Sequence, residues 1–111
     1  MALTKFIHDG DAVDYTPGAS LAAGAVVVQG DLVGIARVAI PANTLGTLAV
    51  TGVFEVPKAT GAGTALAAGT TVYWDATNQR ASTTSAGNKL LGKVVKAAAD
   101  ADASVWVRLS Q

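Results

Sequence analysis

Few residues in this chain could do chemistry. His8-Asp9-Gly10-Asp11, with Asp14 close behind, sets oxygen ligands at alternating positions, which is how a hard cation such as calcium gathers several carboxylates. A helix–loop–helix calcium site also needs a bidentate acid at its twelfth position and a helix on either side. Neither is present, so Asp-Gly-Asp reads as a turn between two strands. Gly61-Ala-Gly63 resembles part of a phosphate-binding loop, but Thr64-Ala-Leu-Ala-Ala-Gly69 follows it. That stretch has no Lys-Ser/Thr pair and no room for the helix whose N-terminus would face a phosphate. A serine nucleophile would need His8, the single histidine, as its base. Ser20, Ser82, Ser85, Ser104 and Ser110 all lie outside the strand–turn contexts that sharpen a nucleophile. Glu55, the sole glutamate, falls in mid-strand, and the aspartates fall in turn-like sequence. No carboxylate pair for acid–base work stands out. The sequence therefore predicts a protein that is not an enzyme and binds no metal and no cofactor.

Composition points the same way. At 111 residues the chain is one domain, 1–111, without room for two ordinary cores. Eight cations and eight carboxylates cancel, leaving no long-range field to hold nucleic acid. Zero cysteines exclude disulfides and thiolate zinc sites. The apolar half is mostly small or β-branched, with 23 alanines and 14 valines, while charged residues are 14% against a usual figure of about 25%. Mean hydropathy is +0.39, yet the longest apolar run falls far short of the roughly 18 residues that span a bilayer. The N-terminus turns polar at Thr4 and Lys5, before any signal-peptide core forms. The expectation is a chain made in the cytoplasm that stays in water, with no membrane partner. So small a domain cannot hide all its apolar side chains, so part of its surface should meet a partner, first of all another copy.

The elements that must position any site read as strands and turns. Twelve glycines leave few stretches long enough for a helix, and the segments between them are rich in Val and Thr. Strands are expected over 3–7, 12–15, 25–29, 32–40, 46–56, 71–75, a short return after Arg80, 89–97 and 104–109. Thr16-Pro17-Gly18, Gly30-Asp31 and Pro41-Ala-Asn-Thr read as turns. The segments 58–65 and 82–88 read as loops, and 96–103 is the one stretch suited to a short helical turn. About nine short strands imply an all-β fold, a small sandwich or a partly open barrel. There is also an internal echo. Leu21-Ala-Ala-Gly24 with Val27 recurs as Leu66-Ala-Ala-Gly69 with Val72, and Gly34-Ile-Ala-Arg-Val-Ala recurs as Gly92-Lys-Val-Val-Lys-Ala. Either a β-hairpin module is duplicated or so short an identity is coincidence.

The ordered set of apolar and aromatic segments resembles a known family. Phe6-Ile-His-Asp-Gly-Asp11 and Val13-Asp-Tyr-Thr16 open it, followed by Ala23-Gly24, Val26-Val-Val28, Leu32-Val-Gly-Ile-Ala36 and Gly52-Val-Phe-Glu-Val-Pro-Lys58. Ala68-Gly69, Val72-Tyr-Trp-Asp75, Leu91-Gly-Lys-Val94 and Val105-Trp-Val-Arg-Leu109 complete it. Together they resemble the capsid decoration (cement) proteins of tailed phages, some of which automatic naming has labelled recombinases. No nucleotide-binding loop supports that label here. The resemblance implies a homotrimer on the outer surface of an icosahedral capsid, bound to the major capsid protein and stabilising the shell, and it carries no catalytic residues. Contact candidates are Phe6, Ile7 and Tyr15 on an N-terminal arm (residues 1–15), together with Trp74 and Trp106. The alternatives are that the arm is the first hairpin of the fold and that the tryptophans are core. A virion-surface receptor- or glycan-binding module, built on an exposed Trp74, is the second functional expectation.

Overall fold

In a computed structural model, residues 3–7 and 9–110 are described; they contain nine strands and no helix. The strands are β1 (Ala12–Tyr15), β2 (Val26–Gln29), β3 (Leu32–Ile35), β4 (Gly46–Ala49), β5 (Val53–Pro57), β6 (Thr71–Asp75), β7 (Arg80–Ser82), β8 (Lys89–Lys96) and β9 (Ser104–Leu109). They form two antiparallel sheets, ordered β1-β4-β3-β2 and β5-β9-β8-β6-β7. The all-β expectation holds. Of the two architectures, the sheets remain open and pack on one another, and no barrel closes.

Four local expectations change. Residues 3–7 form no strand, and the first pairing is β1 with β4. The strand expected over 32–40 stops at Ile35, because Ala36 and Ile40 instead bond the turn at Leu21–Ala25. The long strand expected over 46–56 is two strands in different sheets. Its alternation continues across the break, but Gly52 at φ +108° redirects the backbone between them. The stretch 96–103 forms no helical turn; Ala98 bridges Leu66 and the chain then turns at Ala99–Asp102.

The echo is a structural duplication. Leu21 exchanges both backbone hydrogen bonds with Ile40, and Leu66 does so with Ala98. The Gly24 N–H donates to Ala36 at 2.6 Å and the Gly69 N–H to Val94 at 2.7 Å. Those carbonyl-bearing residues return the bond, Ala36 to Ala25 and Val94 to Thr70. The two glycines sit at φ +87° and +89°, a conformation costly for any residue with a Cβ. Val27 pairs with Gly34 as Val72 pairs with Gly92. Both latter glycines permit close approach, since a methyl at Gly34 would lie 2.8 Å from Leu48 Cβ and one at Gly92 would overlap the Arg108 carbonyl. The match extends to the flanking strands. Ala12–Ala49–Ile35 forms a register row across the first sheet, and Val53–Arg108–Lys93 forms the same row across the second. Thus β1, β2, β3 and β4 correspond to β5, β6, β8 and β9, with β7 inserted.

The core is unevenly shared. Thirteen buried residues, including Val56, Leu66, Val72, Trp74, Leu91, Val94, Val105, Val107 and Leu109, form one cluster that also takes in Val33 and Ile35 of β3. The first half keeps a second, smaller cluster of Ala36, Ile40 and Leu48, flanked by half-buried Val13, Tyr15, Leu21, Ala25 and Val27. Register equates Tyr15 with Val56, so Pro17 corresponds to Lys58; both are buried. Lys58, only 6% exposed, donates from Nζ to the carbonyls of Ala59, Ala99 and Asp102 at 2.7–3.0 Å. Those bonds satisfy the buried ammonium and tie the last loop to β5.

Candidate docking surfaces

The described residues hold no group of three or more His, Cys, Asp or Glu side chains suited to a metal. His8 lies outside the described residues, so the His8-Asp9-Gly10-Asp11 expectation can be placed only in part; Asp11 accepts a hydrogen bond from Thr51 at 3.3 Å. The carboxylates described elsewhere hold turns and neighbours. Asp75 accepts from the backbone N–H groups of Thr77 and Asn78 and from the Asn78 amide, and those bonds, the Asn78 amide first, hold its carboxyl below the ordinary carboxylate value. Asp31 pairs with Lys89 at 2.7 Å, joining the β2–β3 turn to β8, and that hydrogen bond and charge lower its pKa too. Glu55 accepts from Ser104 at 2.8 Å. Asp100 and Asp102 accept from the backbone N–H groups of Ala65 and Ala99.

Several large apolar side chains remain exposed. On the segment before β1, Phe6 is 77% and Ile7 73% exposed, and Leu3 is exposed with them. Tyr15, the third residue expected on that arm, lies instead in β1, half-buried against the small first-half cluster. The two tryptophans part company. Trp74 is 4% exposed inside the main core, so a ligand face built on its exposure does not exist. Trp106 is 46% exposed on the outer face of the second sheet. Directly paired residues share a face, so Glu55–Trp106–Lys96 and Val53–Arg108–Lys93 make two rows on that surface. The Lys96 ammonium stands 4.7 Å from the Trp106 ring centroid, a cation–π contact. A shallow depression of about 310 Å³ lies between Val53, Glu55 and Trp106.

The sequence indicated that apolar surface would face a partner but did not single out Val53, Val95 or Val38, all exposed. It also did not single out the half-open patch of Val13, Leu21 and Val27. The signal available was the echo: equivalent residues in a duplicated chain should be equally buried, and these are not.

No helix among the described residues is long and apolar enough to cross a membrane. No curated protein and no solved structure gives a significant match to the chain. Residues 7–109, nearly its whole length, match the phage cement protein family. An all-β domain with several large apolar side chains left exposed agrees with that match, and the chain belongs to the phage cement protein family.

Proposed function

We propose that this protein decorates the outside of an icosahedral phage head, binding the major capsid protein as a homotrimer and stabilising the shell without enzymatic activity. The observation that carries the proposal is the family match over residues 7–109. Exposed Leu3, Phe6 and Ile7 beside the edge strand β1 support it, because an extended apolar arm next to a free strand edge suits strand addition to a neighbour. Three arms on one trimer multiply a weak contact by avidity. Synthesis in the bacterial cytoplasm and residence on the virion surface follow from that role.

Light scattering with and without empty capsids of the parent phage tests the proposal. A mass of three times 11.1 kDa that co-sediments with shells is the expected result, and a monomer that ignores capsids overturns it. Deletion of residues 2–8 is expected to weaken shell binding. If trimer and shell binding both survive the deletion, the arm has no role in docking.

A further inference from the structure

Equivalent faces of the duplicated sheets meet different fates. In the first sheet, the row Ala12–Ala49–Ile35 belongs to the face turned towards the second sheet: Ile35 and Ala49 are buried, and Ile35, Val33 and half-buried Val26 pack into the main core. The matching row in the second sheet, Val53–Arg108–Lys93, is open to solvent with Trp106 and Lys96 beside it. The opposite faces reverse the pattern. Val56, Leu66 and Val72 of the second half are buried in the main cluster, which Val33 and Ile35 of the first sheet join. Their counterparts Tyr15, Leu21 and Val27 remain half-open. One kind of sheet-on-sheet contact is therefore made once inside the chain, and both of its complementary faces are left over.

We propose that a second copy of this chain makes that contact again, seating its open Val53–Trp106–Arg108 face on the half-open Val13–Tyr15–Leu21–Val27 face of its neighbour. Charge favours a second copy as the occupant. Residues 1–51 hold two cations, Lys5 and Arg37, against four carboxylates, Asp9, Asp11, Asp14 and Asp31; residues 52–111 hold six cations against four carboxylates. The halves thus carry net charges of −2 and +2. The open face of the second sheet bears Lys93 directly opposite Arg108, a like-charge pair that is unfavourable without an anionic neighbour. Asp11, just before β1 and in the same alternation as Val13 and Tyr15, places a carboxylate beside the receiving face, while Asp14 lies on the opposite one. Such a contact joins unlike surfaces, so it propagates from copy to copy and closes when the rotation closes. This inference rests on the self-association in the proposed function and gives the trimer its seam.

Two complementary variants test it. Trp106→Asp breaks the donor face and Val13→Asp the receiving one, with Tyr15→Ser as a milder receiving-face change should Val13→Asp unfold. Emission from the buried Trp74 reports folding. Each variant alone is expected to be an 11.1 kDa monomer, and their equimolar mixture to recover a species of twice that mass through the one intact pair of faces. A trimeric wild type with an equally trimeric Trp106→Asp variant overturns the seam and leaves the capsid role standing. Folded variants that are monomeric alone and remain so when mixed also overturn it. A monomeric wild type removes the trimer and the seam together.

Discussion

The two halves share a topology, a Leu-Ala-Ala-Gly turn and a close-packed glycine, yet one is a finished core and the other is not. The second half buries Leu66, Val72 and Val94 in a thirteen-residue cluster, while the first leaves Leu21, Ala25 and Val27 half-open around three buried residues. The difference is one of cover: the first sheet lies on the second, and no described element lies on the first. A duplicated module in a monomer has one internal interface to share, so one copy of each face stays free. The proposed seam uses those two free faces.

The sharpest way to break the comparison is at the paired glycines. Gly92→Ala drives a methyl into the Arg108 carbonyl, part of the β8–β9 ladder, whereas Gly34→Ala meets the Leu48 side chain. Thermal unfolding should show Gly92→Ala destabilised by about 3 kcal/mol or more and Gly34→Ala by about 1–3 kcal/mol, the range for overpacking. Equal losses would mean the two close approaches are equivalent.

Leucine truncation comes next. Leu66→Ala is expected to lose about 3 kcal/mol, as for a buried leucine, and Leu21→Ala about half that at low protein concentration. Denaturant titration at rising concentration sharpens the point, because the Leu21→Ala deficit should grow if assembly covers that residue. The turn glycines should show no asymmetry. Gly24→Ala and Gly69→Ala each force a Cβ into the left-handed region, so each should cost about 1–2 kcal/mol, and melting temperatures should fall together.

The smallest effects are electrostatic. The Asp75 carboxyl is held below its ordinary value of 3.8, so its contribution is fully present above that pH and is lost as pH falls through the lowered native value. Asp75→Asn should therefore flatten the acid side of a melting-temperature profile below the ordinary carboxylate value of 3.8, and leave the neutral side nearly parallel to wild type. The Lys89–Asp31 pair joins the two halves but is exposed, so Lys89→Ala in physiological salt should be hard to distinguish from wild type.

Much of the strand layout was legible because the signals are local. Pro17-Gly18, Gly30-Asp31 and the two Leu-Ala-Ala-Gly turns mark chain reversals by their backbone preferences alone, and Val26–Gln29, Thr71–Asp75 and Ser104–Leu109 fall where β-branched runs place them. The break between β4 and β5 was not legible, since Leu48, Val50, Phe54 and Val56 keep one alternation although the pairs lie in different sheets. The fates of the tryptophans were equally hidden. Trp74 and Trp106 both sit in apolar strands, and only the side of the sheet that each faces separates a core ring from a surface one.

By itself, then, the sequence determined an all-β chain of short strands joined by glycine-marked turns, and it offered a repeated Leu-Ala-Ala-Gly segment whose meaning it left open. These follow from residue type and short-range geometry, which act within a few residues of one another. Only the tertiary structure decided which face of each duplicated sheet is covered, because that depends on one half lying over the other. From that single asymmetry come the buried Trp74, the open Trp106 and the half-finished first cluster.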